Sequence, residues 1–456
     1  MPDTVLWLRR DLRLHDHPAL HAASRAADGG RVLPLFVLDP ALLTPCGPPR
    51  RSWLLRSLRA LHAATDGALV VRGGPPEQVL ADVVRELGAS SVHVTADCGP
   101  YGRRRDEAVT RALDVPLVRT GTPYAVGPGS VTKPDGTPYQ VFTPFSRRWR
   151  EHGWPAPAGP PPSGLRWART LDSDELPDEP EPDGLTLPPV GEQAAAERWA
   201  WFLDDALARY ADSRDRPDLD GTSALSGHLK FGEVHPRTLL ADLAGRRGPG
   251  AEAFRTELAW REFYADVLWH HPRSARDYLR PEYASMPYDS PDQYAVQAWR
   301  EGRTGFPFVD AGMRQLRATG WMHNRVRMVT ASFLVKDLHV EWQHGARHFL
   351  HWLRDGDLAS NNHGWQWVAG SGTDAAPYFR VFNPVAQGLR FDPDGDYVRR
   401  WVPELSHLAG AAAHEPWRAA DGYADGYPQR VVDHTEERAE ALRRYQRVRS
   451  GTARRG

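Results

Sequence analysis

The chain has 456 residues, 41% hydrophobic and 25% charged, with a formal net charge of −1. That balance excludes wholesale disorder and a purely electrostatic coat for nucleic acid, while leaving room for a local basic groove. No apolar run approaches the roughly 18–20 residues of a membrane span. The only cysteines, Cys46 and Cys98, are too far apart for a disulfide scaffold or a Cys-based metal cluster. The first residues lack a cationic start followed by an apolar core, so no secretory signal is expected and the setting expected is cytoplasmic. Seventeen residues are Trp, ten of them between Trp260 and Trp417.

In chain order, Val5–Leu8, Val32–Leu38, Leu69–Val71 and Val92–Val94 read as short buried strands. Between them, residues 18–27, 50–64, 76–87 and 102–113 carry apolar side chains at helical spacing. This alternation predicts a parallel, Rossmann-like sheet covered on both faces, an α/β domain over residues 1–130. No GxGxxG follows the first strand, so dinucleotide binding of that type is not supported. Residues 131–191 are expected to link two domains: 155–189 hold ten Pro, and 171–183 hold seven acids and no base. From Glu192 the periodicity turns helical, over 192–210, 255–268, 308–319, 325–341 and 346–353, which predicts an all-α domain spanning 192–435. A short end, 436–456, closes the chain, and 441–456 carry six Arg and no acid.

Four stretches could carry chemistry. Gly221–Gly232 is small and hydroxyl-rich and opens a short helix, which suits a phosphate; an ordinary helix cap accounts for the same residues. Helical spacing places Glu257, Trp260, Arg261 and Tyr264 on one face, where an acid, an indole and a guanidinium could meet a planar polar ligand or simply divide between core and solvent. In Trp321–Met328, Asn324 and Met328 share a face. Asp355–Trp367 sets two acids around a Gly, then two Asn, then two Trp around Gln366. It lacks the last Glu of a calcium loop and reads as a polar loop that grips a ring rather than a metal.

These stretches, with Trp7–Leu14, Thr304–Ala311 and Thr373–Pro384, resemble the photolyase/cryptochrome family in order along nearly the whole chain, most closely its class I cyclobutane-pyrimidine-dimer branch. The resemblance implies an antenna domain followed by a helical domain that holds FAD in a U shape. It implies light-driven repair of thymine dimers in UV-damaged DNA, or, as the alternative, a cryptochrome-type light receptor with the same flavin pocket. By position, Tyr210, Thr222, Ser223, Leu225 and Ser226 should cradle the phosphates and ribityl chain, with Ala224 standing where Arg or Gly is usual. Arg261 belongs with the FAD-binding set. Arg327 and Asp355 match an ion pair beside the isoalloxazine. Asp357 should accept from the flavin edge, and Asn361 should face N5, where a neutral amide can hydrogen-bond without giving up a proton. Glu257, Trp260, Asn324, Met328 and Trp367 match the lesion pocket. Asn324 and Met328 stand where (6-4) photolyases carry two His, which points to the cyclobutane dimer. Arg325 and Arg380 should meet the DNA backbone.

The resemblance also implies a photoreduction relay through Trp365 and Trp342. The usual distal Trp is missing, and Pro287-Tyr288 stands near its position, making Tyr288, or a different Trp, the candidate terminal donor. Pro100–Asp106 resembles the branch with an 8-hydroxy-5-deazaflavin antenna, whose contacts match Arg51, Asp106 and Lys230; methenyltetrahydrofolate or an empty site are the alternatives. No metal, membrane or obligate protein partner is expected, and the expected state is a monomer.

Overall fold

The computed structural model describes residues 1–180, 182, 184–374 and 379–453. Residues 375–378 of the Thr373–Pro384 motif lie outside these, as do Glu181 and Asp183 of the acidic run and Arg454 and Arg455 of the basic end.

The N-terminal strands form one parallel sheet in the order β3-β2-β1-β4-β5. They are β1 (Thr4–Leu8), β2 (Val32–Leu38), β3 (Val70–Gly73), β4 (Val92–Val94) and β5 (Leu117–Arg119). Every residue of β1 and β2 is buried, as a parallel strand covered on both faces requires. The fifth strand has three residues, none fully buried, and sits at the edge. It carries no hydrophobic run long enough to announce it. The helices between the strands, Pro18–Ala27, Pro48–Ala64, Pro76–Leu87 and Pro100–Ala112, all start with Pro in the first turn, where a missing N–H costs nothing.

The segment 131–191 is not uniform. Phe142–His152 is a helix that turns Phe142, Phe145 and Trp149 into the core of the helical domain. Its i, i+3, i+7 spacing was readable, and the dense run of prolines that marks a linker begins at Pro155. The remainder wraps the sheet edge as irregular chain. Val32 donates to the Arg166 carbonyl and accepts from the Ala168 amide, both at 2.9 Å. Val71 and Gly73 donate to Ser173 Oγ and Asp174 Oδ2. Glu179 pairs with Arg56 and Arg59, so part of the acidic run is spent on the α/β domain.

The second domain is helical. Its central members are Pro249–His270, Pro307–Thr319, Asn324–Lys336, Trp342–Trp352 and Leu358–Ala369. The helix expected over 192–210 is broken into Glu192–Trp201, a wide π turn at Phe202–Ala206 and short helical turns beyond. The helix expected over 325–341 stops at Lys336, because His339 adopts a left-handed φ of 53°. Residues 358–369, read as part of a polar loop, are helical: the Asp357 carboxylate accepts from the Ser360 amide and caps the helix start. The Arg-rich end is a helix, His434–Ala453, docked by His434 on Asp337 and by Glu437 on His339.

Several histidines are buried without charge. Burial is the main cause that holds His323 and His363 down to about 4 and His348 to about 3. Their folded pKa values lie below the ordinary 6.5, so between pH 6.5 and 4 the unfolded chain binds more protons than the folded one. Stability therefore falls as pH falls through that window, by up to about 1.4 kcal/mol per pH unit for each such group. Thermal unfolding should show a Tm that drops steadily from pH 7 to pH 5; a flat or rising Tm contradicts the neutral-histidine core.

Candidate active site

A cavity of about 520 Å³ opens between the Ser226–Phe231 helix and the helices Pro249–His270, Asn324–Lys336 and Leu358–Ala369. All ten residues expected to hold FAD line it: Tyr210, Thr222, Ser223, Leu225, Ser226, Arg261, Arg327, Asp355, Asp357 and Asn361. The lesion residues Glu257, Trp260, Asn324, Met328 and Trp367 line the same space, with Arg325, Trp365 and Lys230.

The hydroxyl loop is held from behind. Arg198 donates to the carbonyls of Thr222 (2.7 Å) and Ser223 (3.0 Å) and pairs with Asp220. The carbonyls of Thr222 and Ser223 are thus occupied, and Ser223 Oγ accepts from the Leu225 amide at 3.4 Å, so the Ser223 hydroxyl can still donate to a ligand. Gly227 lies against the indole of Trp53 from the α/β domain, where a Cβ would sit 2.8 Å from the ring, so the close approach needs glycine. Ala224 sits at φ 51°, a left-handed conformation that costs a side-chain residue about 1–2 kcal/mol. This explains why glycine suits the position, and it makes the loop a small store of strain.

The polar wall is a chain of pairs. Arg327 donates to Asp355 at 2.7 Å and to the Met322 carbonyl at 2.7 Å. Burial would raise the Asp355 carboxyl, but Arg327 outweighs it and holds the group ionised. Asp357 accepts from Arg10 of the α/β domain at 2.8 Å. Burial is likewise outweighed there, by Arg10, Lys230 and Arg261, and the carboxyl is held well below the ordinary range. Asp357 therefore serves the domain seam as well as the cavity. Asn361 spends its amide N–H groups on the Ala346 carbonyl (3.1 Å) and Asn362 Oδ1 (2.8 Å). Its carbonyl oxygen is what remains, an acceptor suited to an N–H of a reduced flavin.

On the lesion side, Trp260 is stacked on Phe142 at 3.7 Å with the rings 6° from parallel. The helix hidden in the 131–191 segment thus braces the expected substrate platform. Glu257 pairs with Arg214 at 2.8 Å; burial raises its carboxyl above the ordinary range while Arg214 opposes that rise. Arg214 was not anticipated, since a single Arg after Ser213 in a polar stretch carries no signal. Asn324 is the first residue of its helix, capped by His323, and Met328 lies one turn further on the same face. Arg325 is held by Asp215 at 2.9 Å and lies over Phe391. Arg380 is exposed beside a shallow cleft with Lys336, Trp367, Phe379 and Tyr445, away from the main cavity wall.

Trp342 and Tyr288 are not in the cavity lining. Trp365 is in edge contact with Phe349 and Trp299, and Gly345 of the Trp342–Trp352 helix abuts it. The three antenna candidates occupy different settings near the domain seam. Asp106 is buried with Arg9 and Arg105, and Arg51 stands in the first turn of Pro48–Ala64. Lys230 is half-buried beside Arg10 and Asp357; desolvation is the main cause that lowers its amine to about 7. Among the described residues, no group of three or more His, Cys, Asp or Glu is placed to hold a metal.

The fold and this wall are those of a light-driven flavoprotein, and comparison with known proteins bears this out. Residues 4–163 match the model of the DNA photolyase domain, and 254–447 that of the FAD-binding domain of DNA photolyase. A deoxyribodipyrimidine photo-lyase from Streptomyces griseus is 42% identical over 98% of this chain and 99% of its own. The crystal structure of a bacterial class III photolyase from Agrobacterium tumefaciens is 36% identical, with a TM-score of 0.89 over 99% of this chain and 98% of its own. A cryptochrome structure from Synechocystis is 27% identical, with a TM-score of 0.88 over 97% of this chain and 98% of its own. The chain belongs to the photolyase/cryptochrome family. FAD is its cofactor, and the cavity fits it: hydroxyls for phosphates, a half-buried Arg–Asp pair and an amide oxygen as acceptor for a flavin ring.

The strained loop gives a direct test of the fit. Ala224→Gly should raise stability by about 1 kcal/mol, seen as a higher Tm in denaturation scans. A lower Tm would show that the methyl group packs favourably and that the loop is not strained.

Proposed function

We propose that this chain repairs cyclobutane pyrimidine dimers in DNA, taking the energy from light. The observation that carries the reading is that one cavity joins the flavin cradle to Glu257, Trp260, Asn324, Met328 and Trp367. Bound FAD, when reduced, supplies a light-absorbing electron donor there. The residues of the chain do the rest.

A dimer stacks and pairs poorly, so extruding it from the duplex costs less than extruding a normal base. Trp260 and Trp367 offer stacking faces, worth roughly 1–3 kcal/mol per base on similar platforms. Trp260 is fixed from behind by Phe142, so little freedom is lost when a lesion arrives. Asn324 and Met328 offer an amide and a soft thioether rather than the pair of acids or bases that proton-transfer repair would need. Glu257 is drawn toward its protonated form by burial and toward its charged form by Arg214. The pair can therefore meet an extra electron on the dimer with a shared proton and a nearby cation. Arg325 at the cavity mouth and Arg380 outside it suit backbone phosphates, which makes binding salt-dependent.

The same flavin cradle would serve a light receptor, but a receptor has no use for the braced lesion wall, and the relatives named photo-lyase favour repair. For the antenna, 8-hydroxy-5-deazaflavin is the proposed chromophore, with Arg51, Asp106 and Lys230 as contacts and folate as the alternative. No helix among the described residues is long and apolar enough to cross a membrane. We infer a monomer acting in the cytoplasm.

DNA carrying a single thymine dimer, mixed with the protein in its chemically reduced form, should lose the dimer in blue light and keep it in the dark. A dimer that survives both conditions overturns the reading. Glu257→Gln should cut repair per absorbed photon by about tenfold, with a smaller change in Kd for the damaged DNA. Equal losses in both would reduce Glu257 to a binding residue.

A further inference from the structure

Asn362, His363 and Gln366 of the Leu358–Ala369 helix are buried, although all three are polar. Each grips the same short stretch of chain, residues 274–279. Asn362 Nδ2 donates to the Ala275 carbonyl, and His363 Nε2 meets Ser274 Oγ at 2.9 Å. Gln366 Nε2 donates to the Ser274 carbonyl at 2.9 Å, and the Leu279 amide donates to Gln366 Oε1 at 2.8 Å. A segment held at four points is a rigid mount, and the Asn362 contact carries that rigidity on to the cavity.

An amide side chain has an acceptor at one end and two N–H donors at the other, and a half-turn of its terminal bond exchanges them. What fixes the ends is a partner that can play one role. A main-chain carbonyl is such a partner, since it accepts and never donates. The Ala275 carbonyl therefore draws the NH2 end of Asn362 toward itself and sends the oxygen the other way. That oxygen accepts from Asn361 Nδ2 at 2.8 Å. A second carbonyl, that of Ala346, accepts from the same nitrogen at 3.1 Å. Two carbonyls at the ends and two amides between them leave Asn361 one orientation, with its oxygen free for the cavity it lines. Reversing Asn361 would set its oxygen against the oxygens of Ala346 and Asn362, and would leave buried groups unpaired.

We propose that Asn362 is a positioning residue for the redox state of the flavin: it holds Asn361 as an acceptor and so favours the ring that carries a hydrogen on N5. This rests on the reading of the cavity as a flavin site with N5 at Asn361. The argument is a matching of roles. N5 of the oxidised ring has a lone pair and no hydrogen, so it meets the Asn361 oxygen as acceptor against acceptor. N5 of the fully reduced ring carries N–H and donates to that oxygen. An amide free to turn would lose this discrimination, because its NH2 end suits the oxidised ring. Asn361 makes the contact, and Asn362 acts through it, as a supporting residue that locks the geometry of another.

The test is the midpoint potential of FAD bound to the full chain, measured without oxygen against a redox dye. Asn362→Leu keeps the size of the side chain and removes both of its roles. It should lower the preference for reduced flavin about tenfold, which for a two-electron couple is a midpoint about 30 mV more negative. Asn361→Ala should shift the midpoint at least as far. In the Asn361→Ala background, Asn362→Leu should add nothing, because the two amides act as one unit. Asn362→Asp, while protonated, donates to Ala275 and accepts from Asn361, so below the pH at which it ionises it should restore most of the lost potential. If Asn362→Leu does not fold, the unaltered chain decides. With its Asn labelled with 15N, both amide hydrogens of Asn361 should exchange slowly with D2O, whether the flavin is oxidised or reduced. Equal shifts by Asn362→Leu in both backgrounds, weakened FAD binding with an unmoved potential, no recovery in Asn362→Asp, or a fast-exchanging Asn361 amide would overturn the proposal. An unmoved potential in Asn361→Ala removes the N5 contact and the proposal with it. Dimer repair by the unaltered chain with chemically reduced flavin tests the wider reading separately.

Discussion

The ion pair between Arg10 and Asp357 is the constraint on which the site depends. Arg10 lies just past the end of β1, and its guanidinium crosses the domain seam to a carboxylate that also starts the Leu358–Ala369 helix. That helix carries Asn361, Trp365 and Trp367, so one half-buried contact sets the orientation of three residues that line the cavity. Both charges are half-buried, and neither is cheap to desolvate alone; removing one would strand the other. The same turn of chain holds the phosphate loop. The Leu12 amide donates to the Phe231 carbonyl, and Gly232, at φ 69°, packs so close to the Arg10 carbonyl that no side chain fits. The α/β domain is thus part of the active-site wall.

Two other parts of the chain perform comparable double duty. Trp53 fills the space beneath Gly227 and ties its indole N–H to Glu233, so a core residue of the first domain shapes the ligand loop of the second. Phe142 belongs by sequence position to a connector and by packing to the lesion pocket. The many Trp residues divide accordingly. Trp7, Trp53, Trp149 and Trp299 are fully buried, while Trp260 and Trp367 keep part of their surface in the cavity. Trp365 and Trp342 are buried; Trp365 lines the cavity, and Trp342, outside its lining, meets Tyr278 edge-on.

Much of this was legible in the sequence, for physical reasons. Buried parallel strands are unbroken hydrophobic runs, and four of the five stood out; β5 is too short and too exposed to do so. Helix cores repeat near every 3.6 residues, and the central helices did. What was not legible were interactions between distant segments. Arg214 gives no sign in the sequence that it will face Glu257. Arg198 gives none that it will pin the hydroxyl loop. The cap that makes 358–369 a helix was hidden for another reason. Asn, Gly and Ser read locally as loop residues, and the Asp357 cap and burial of the helix against its neighbours outweigh that preference. The resemblance to photolyases named the residues that share a cavity; the geometry shows what braces them.

The central claim is that one cavity holds both the flavin and an extruded dimer. The most direct measurement is a crystal structure of the loaded protein bound to a duplex with a single thymine dimer. The account predicts FAD against Asn361 and the Arg327–Asp355 pair, with the dimer out of the helix between Trp260 and Trp367. A dimer still stacked in the duplex, or a flavin bound elsewhere, would contradict it.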